Sequence, residues 1–268
     1  MIKKIKLMRL DNYLINKNYF QTRNKAQQAI KTNRIIVNGK VITKNGYEVS
    51  ELDKIEIIPI EYEFVSRGGY KLLKAIKEFN LDFNDKVVID LGASTGGFTD
   101  CSLKFNAKKV YAIDVGTDQL DKSLKNNEKV ISIENLNIKD INPDNYLDID
   151  YIVMDVSFIS VSKLIFKLKE LLKEDVKLIL LIKPQFEAMN ENINKNGVVK
   201  NKDVHINIIN KIKEEFLNES IYLNNLTYSP LKGEKSGNIE YLALFSLNNL
   251  NNNINIKEIV DEAYNKII

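Results

Sequence analysis

Hydrophobic positions along the chain follow two different rhythms, and the change falls near residue 60. Over residues 9–58 they come in short, mixed groups. Arg9-Leu10-Asp11-Asn12-Tyr13-Leu14 spaces apolar residues at helical intervals. Thr22 stands where an N-cap would open a second helix, with Ala26, Ala29 and Ile30 on its buried face. Residues 34–42 place β-branched runs on either side of Asn38-Gly39, a pair that predicts a tight hairpin because both turn positions must accept positive φ. Residues 51–58 predict another strand, closed by Pro59. The order helix, helix, hairpin, strand makes a small α+β module.

From Asp85 onward, apolar runs alternate with amphipathic stretches. Strands are predicted at 87–91, 109–113, 129–133, 151–154 and 176–182, with helices at 162–172 and 203–217. That alternation predicts a doubly wound α/β sheet covered on both faces. Residues 248–253 read as a polar link, and 254–268 as a terminal amphipathic helix that packs on the body or touches a partner. The expected division is a module over 1–60, a link over 61–65 without glycine or proline, and a larger domain over 66–268.

Charge sharpens this division. The net charge of +3 conceals 12 Lys and Arg against 5 Asp and Glu in residues 1–60, and 27 against 31 in the remainder. A basic module on a slightly acidic body points to a polyanionic partner, the plainer alternative being a solvated basic face. The longest apolar run, 176–182, is interrupted by Lys177 and is too short to cross a bilayer. The start, Met1-Ile2-Lys3-Lys4-Ile5-Lys6, has no apolar stretch of the kind a secretory signal needs. A single cysteine gives no disulfide framework and no cysteine-rich zinc site. The expectation is a cytoplasmic monomer with no membrane contact and no metal.

The first strand of the larger domain carries the most informative loop, Val87-Val88-Ile89-Asp90-Leu91-Gly92-Ala93-Ser94-Thr95-Gly96-Gly97-Phe98. A buried strand running into Gly-x-x-x-Gly-Gly and then a helix lets a ligand approach the backbone. The second strand ends in Asp114, 24 residues after Asp90, where a carboxylate can accept both hydroxyls of a ribose. The spacing is not the Gly-x-Gly-x-x-Gly of dinucleotide oxidoreductases, and no Gly-Lys-Ser/Thr follows for a phosphate loop. The loop resembles the cofactor loop of S-adenosylmethionine-dependent methyltransferases that act on RNA. That resemblance implies that Asp90, Gly92, Ser94, Gly96 and Gly97 surround the methionine end. Asp114 then holds the ribose, Asn137 and Ile138 border the adenine, and Asp155 lies beside the cofactor.

The acceptor atom is narrowed by what is present. Cys101, the one candidate nucleophile for base-carbon methylation, sits in the helix after the loop and reads as a small buried residue. Asp155-Val156-Ser157-Phe158 keeps the ends but lacks both prolines of an amine-methylating motif. Asp155 and Lys183 each end a strand and should face one crevice, either as catalytic groups or as an ion pair closing the sheet top. His205, the sole histidine, falls in a helix behind the core and reads as structural.

Two resemblances complete the reading. Residues 8–58, with Arg9-Leu10-Asp11 and Val37-Asn38-Gly39, are similar to the RNA-binding module of small-subunit ribosomal protein four. This implies Arg9, Arg23, Lys25, Arg34 and Lys40 as contacts to RNA backbone. Four ordered motifs run through the rest: Val65-Ser66-Arg67-Gly68-Gly69-Tyr70-Lys71-Leu72, Met154-Asp155-Val156-Ser157-Phe158-Ile159-Ser160, Leu181-Ile182-Lys183-Pro184-Gln185-Phe186-Glu187, and Lys232-Gly233 with Gly237-Asn238 and Glu240-Tyr241. They resemble the hemolysin A family (TlyA type), ribosomal RNA 2′-O-methyltransferases with an FtsJ-like catalytic domain. The resemblance implies a Rossmann-like, mostly parallel sheet with an antiparallel strand near the C-terminus, S-adenosylmethionine as cofactor, and ribosomal RNA in ribosomal subunits as partner, modified at cytidine. It also implies a catalytic tetrad of Lys71, Asp155, Lys183 and Glu240, with Arg67 a further RNA contact. A lysine acts as base only when neutral; a second lysine favours that state and two carboxylates oppose it, so the balance rests on geometry. An RNA-binding assembly factor with an idle methyltransferase fold is the main alternative. A cytolysin, as the family name suggests, finds no apolar or pore-forming pattern in the chain.

Overall fold

The computed structural model describes residues 7–20, 22–59, 61–189, 192–233 and 237–267. The basic residues Lys3, Lys4 and Lys6, and Ile268, to which the terminal helix is expected to run, lie outside the described residues. The chain divides into two compact units, Met1–Glu63 and Phe64–Ile268.

The first unit runs β1 (Met8–Arg9), α1 (Leu10–Asn16), α2 (Arg23–Lys31), β2 (Ile35–Val37), β3 (Lys40–Val41), β4 (Glu48–Val49) and β5 (Ile55–Ile57). Thr22 caps α2, its hydroxyl accepting from the Lys25 amide at 3.3 Å. Asn38 and Gly39 take φ of 50° and 77°, so β2 and β3 close as a two-residue hairpin with Val37 opposite Lys40. β5 pairs with the other edge of β2. It begins later than the sequence pattern predicts. The Asp53 carboxylate accepts from the Ser50 amide and hydroxyl and from Asn38, folding residues 51–53 into a turn. Leu10, Leu14, Ala29, Ile30, Ile35 and Val37 form the core of this unit.

The second unit contains α3 (Gly68–Glu78), β6 (Val87–Leu91), α4 (Gly97–Lys104), β7 (Lys109–Ile113), α5 (Lys122–Lys125), β8 (Val130–Ile133), β9 (Tyr151–Met154), α6 (Ile165–Leu171), β10 (Lys177–Ile182), α7 (Pro184–Glu187), α8 (Lys202–Asn218), β11 (Tyr222–Tyr228), β12 (Tyr241–Ser246) and α9 (Ile256–Ile267). Its sheet has the order β11-β12-β10-β9-β6-β7-β8. β10, β9, β6, β7 and β8 are parallel, and β12 lies antiparallel to β10 and β11. This is the expected doubly wound sheet with an antiparallel strand near the C-terminus. β6 and β9 are buried along their whole length, which is why their sequences do not alternate: β9 is wholly apolar and β6 is apolar apart from Asp90.

β11 escaped the pattern because Asn224 and Asn225 interrupt it and the pairing shifts register there. The buried Asn224 donates to Ser246 and to the Asn248 carbonyl and accepts from the Leu250 amide. It thereby pins the polar 248–253 segment against the sheet. Ile256, Val260 and Ala263 bury the apolar face of α9, which packs against α8 and β11. Fully buried His205 bonds Tyr241 Oη at 2.8 Å and the Val199 carbonyl at 3.0 Å, a structural role in which burial lowers its pKa. No helix among the described residues is long and apolar enough to cross a membrane.

Candidate active site

The chain leaves β6 toward β7 and β8 on one side of the sheet, whereas β9 and β10 build the other side. The carboxyl ends of β6 and β9 are therefore neighbours at the point where strand order reverses, the position at which open α/β sheets form a crevice. Gly92 follows β6 with φ of 79°, and a Cβ there would stand 2.9 Å from the Asp155 carbonyl oxygen. Glycine thus lets the loop lie directly on the end of β9. At Gly97 a Cβ would meet Ser66 Oγ at 2.3 Å and the Gly69 nitrogen at 2.9 Å. The starts of α3 and α4 touch only because residue 97 is glycine, and this contact carries Lys71 toward the loop.

Lys71, Asp155, Lys183 and Glu240 converge on one cavity of about 640 Å3. They form a line of alternating charge. Glu240 Oε2 lies 2.6 Å from Lys71 Nζ, Lys71 Nζ lies 3.8 Å from Asp155 Oδ2, and Asp155 Oδ1 lies 2.5 Å from Lys183 Nζ. Lys183 also donates to Ser157 Oγ at 2.8 Å. Strand register explains the meeting: Ile182 pairs with Tyr241, so the residues just beyond them, Lys183 and Glu240, leave the sheet side by side. Gly233 provides room, since a Cβ there would stand 2.8 Å from Glu240 Oε1. Burial opposes the charge on Lys71, but Asp155 and Glu240 outweigh it and raise its pKa, so this lysine is held as an ammonium. The sign that the sequence left open is thereby set for one of the two lysines.

The loop side of the cavity holds Asp90, Gly92, Ser94 and Gly97. Asp90 is buried; its Oδ2 accepts from Thr99 at 2.6 Å, and its Oδ1 is a buried acceptor with no hydrogen-bond partner among the described residues. Burial pushes its pKa up to about 7. Because the folded protein holds this proton more tightly than the unfolded chain, the group contributes stability that is full below about pH 4 and lost as pH rises through 7. Thermal melting of the wild type relative to Asp90→Asn should show that decline between about pH 4 and 7 and a plateau above; parallel curves would contradict it.

Comparison with known proteins places this architecture. A profile of the FtsJ-like methyltransferases matches residues 64–246, and an S4 domain profile matches residues 8–55. The chain belongs to the FtsJ-like methyltransferase family. It is 42% identical over 240 residues to hemolysin A of Brachyspira hyodysenteriae, covering 89% of this chain and 99% of that protein. It is 30% identical over 235 residues to the 16S/23S rRNA (cytidine-2′-O)-methyltransferase TlyA of Mycobacterium tuberculosis, covering 87% of each. Among solved structures, a Streptococcus thermophilus protein described as a candidate hemolysin superimposes with a TM-score of 0.74 at 33% identity, covering 98% of each chain.

Within the FtsJ-like unit some sequence-based assignments meet the cavity and others do not. Asp114 accepts from the Ser94 amide at 2.8 Å and the Gly116 amide at 2.7 Å, so its carboxylate shapes the loop. Gly96 is packed under Leu120 and Leu124 instead of lining the cavity. Asn137 caps a short turn through the Lys139 amide, Ile138 enters the core, and neither reaches the cavity. Arg67 does line it, with Nη2 donating to the Lys232 carbonyl at 2.9 Å. Cys101 is fully buried and burial raises its thiol pKa, consistent with a packing role. Ser157 as partner of Lys183, and Phe158, 82% exposed at φ 65° beside Phe186, were visible in the sequence only as motif residues.

The S4 unit gathers its cations unevenly. Arg9 and Arg23 both bond the buried carboxylate of Asp11. Lys25 pairs with Glu63 at 3.3 Å, and Arg34 bonds the Ile58 carbonyl and lies 5.9 Å from the Phe20 ring centroid. Lys40 stands exposed on β3.

Proposed function

We propose that this protein transfers a methyl group from S-adenosylmethionine to a ribose 2′-hydroxyl of ribosomal RNA, at cytidine, as the name of the Mycobacterium relative suggests. The S4 unit holds the RNA in this reading, and Lys71, Asp155, Lys183 and Glu240 form the reacting centre. The observation that carries it is the line of alternating charge at the strand-order reversal, opening on the same cavity as the glycine loop.

The residues present fit the cofactor. A cavity of about 640 Å3 falls within the usual range for small-molecule sites. Asp90 Oδ1, a buried acceptor without a partner, suits the ammonium of a methionine moiety. Gly92, Ser94 and Gly97 would border that end, and the remaining lone pairs of Asp114 would take ribose hydroxyls. Bound S-adenosylmethionine supplies an electrophilic sulfonium methyl.

A ribose hydroxyl needs positioning and a proton acceptor. Lys71, saturated by two carboxylates, orients and balances charge. Lys183 faces one carboxylate and the Ser157 hydroxyl, and in its neutral form, after losing its own proton, it is the lysine assigned to the 2′-hydroxyl proton. Asp155 bridges both ammonium groups and fixes their separation. No metal enters this scheme, and a monomer in the cytoplasm suffices for it.

The test is transfer of labelled methyl from S-adenosylmethionine to purified 30S and 50S ribosomal subunits. Label that resists alkaline cleavage at one cytidine supports the reading. RNA binding with no transfer to either particle would instead favour an assembly factor.

A further inference from the structure

Asp11 is the most heavily engaged side chain in the S4 unit. It is completely buried, yet it lies at the start of α1 between two half-exposed arginines. Its Oδ1 accepts from Arg9 Nε at 3.1 Å and the Asn12 amide at 3.0 Å. Its Oδ2 accepts from Arg9 Nη2 at 3.0 Å, Arg23 Nε at 3.1 Å, Arg23 Nη2 at 2.9 Å and Gln27 Nε2 at 2.8 Å. Both Nη2 atoms share one oxygen, so they stand within about 6 Å of each other. Two like charges are thereby held closer than their mutual repulsion would allow.

The arrangement has a cost that packing alone does not explain. A buried carboxylate loses its hydration, and an apolar residue would fill the same place more cheaply. Here the carboxylate remains ionised: burial would raise its pKa, but the bonds from Arg9, Gln27 and Arg23 hold it well below the usual range. Two cations against one anion leave a net positive charge at the surface. The guanidinium side chains remain 49% and 54% exposed, with N–H donors beyond those that Asp11 takes. Residue 46 accommodates the Arg9 head group, since a Cβ on Gly46 would come within 3.2 Å of Arg9 Nη1.

We propose that Asp11 is a positioning residue that mounts Arg9 and Arg23 as one rigid two-guanidinium clamp for a phosphodiester group of folded RNA. This rests on the reading that the S4 unit binds RNA. The clamp loses little side-chain freedom on binding, because the carboxylate has already fixed both arginines. Arg9 and Arg23 thereby act as a pair, whereas Lys25 and Arg34 are tied to other partners.

Opposite signs separate this role from simple charge. Removing an anion near bound phosphates tightens RNA binding if only net charge matters, but it weakens binding if the anion holds the clamp. The experiment measures affinity of the full chain for purified 30S and 50S subunits over a salt series, with thermal melting of every variant. Asp11→Asn and the double variant Arg9→Lys/Arg23→Lys should each bind about tenfold more weakly. The lysine pair should keep the wild-type salt slope, since its charges remain, whereas Arg9→Ala/Arg23→Ala should lose both affinity and slope. Glu51→Gln, which removes an exposed anion paired with Lys17, should not weaken binding. If Asp11→Asn unfolds the unit, the lysine pair decides, because it leaves the carboxylate and the charges in place. Wild-type affinity in the lysine pair, or equal or tighter binding by a folded Asp11→Asn, would overturn the clamp while leaving RNA binding intact. No effect of Arg9→Ala/Arg23→Ala would overturn the clamp together with the RNA role of both arginines.

Discussion

Lys183→Ala is expected to lower methyl transfer by about 10^3-fold, within the range found when a positioned proton acceptor is removed. RNA and cofactor affinity should be nearly unchanged. The fold should also survive, because the substitution does not strand a charge: Asp155 is 22% exposed and keeps Lys71 at 3.8 Å. Lys183→Arg separates two functions of the group. Arginine places a fixed positive charge beside Asp155 and does not release a proton near neutral pH. If Lys183 accepts the 2′-hydroxyl proton, the arginine variant is as inactive as the alanine variant. Substantial transfer by Lys183→Arg would reassign the residue to electrostatic orientation. Labelled-methyl assays on ribosomal subunits, run with melting curves, give all three readings.

Lys71→Ala should behave differently, with a large loss of stability as well as activity. Glu240 is only 2% exposed, and its carboxylate has Lys71 as a cation at 2.6 Å. Removing the lysine leaves that charge buried beside a cavity. Breaking one partner out of a buried pair costs about 3–5 kcal/mol. For a unit of this size that corresponds to a fall of about 10 °C in Tm. Replacing both partners by apolar residues of similar volume, as in Lys71→Met/Glu240→Leu, should recover most of the stability and none of the activity. Melting of Lys71→Ala at the wild-type temperature would show that water or another group compensates Glu240. Near-wild-type stability of the double variant with abolished transfer would identify the ion pair as a functional feature kept at the expense of stability.

The contrast between these two lysines could not be read from the chain. Both occur in charged motifs, and each lies near a carboxylate once the sheet is known. Their environments differ because Lys71 comes from α3 and inserts between two carboxylates, whereas Lys183 ends β10 and meets one. Lys71 and Glu240 are 169 positions apart, and their contact depends on Gly97 and Gly233 admitting close approach. The same limit explains Asn137 and Ile138. Their place after β8 is the expected one for an adenine-bordering pair, but the turn they occupy is governed by an Asn137 cap and by burial of Ile138. Asp11 shows the converse. It stands among apolar helix positions, and the sequence offers no sign that two arginines on separate elements converge on it.

Several local features were legible. Strands β6 and β9 follow their apolar runs because both faces are buried, and β7 follows its own because Val110, Ala112 and Ile113 are buried. The hairpin follows from Asn38-Gly39 and the second helix from Thr22, since φ preference and capping act over a few residues. The glycine loop likewise announces a ligand site through backbone conformation alone. The sequence by itself therefore determined the hairpin, the capped helix, the doubly wound sheet and the glycine loop that follows its first strand. Only the tertiary structure decided which charges meet, how deeply they are buried and that Lys71 is held as an ammonium. Those properties depend on distance and desolvation, and residues far apart in the chain acquire both only when the sheet is assembled.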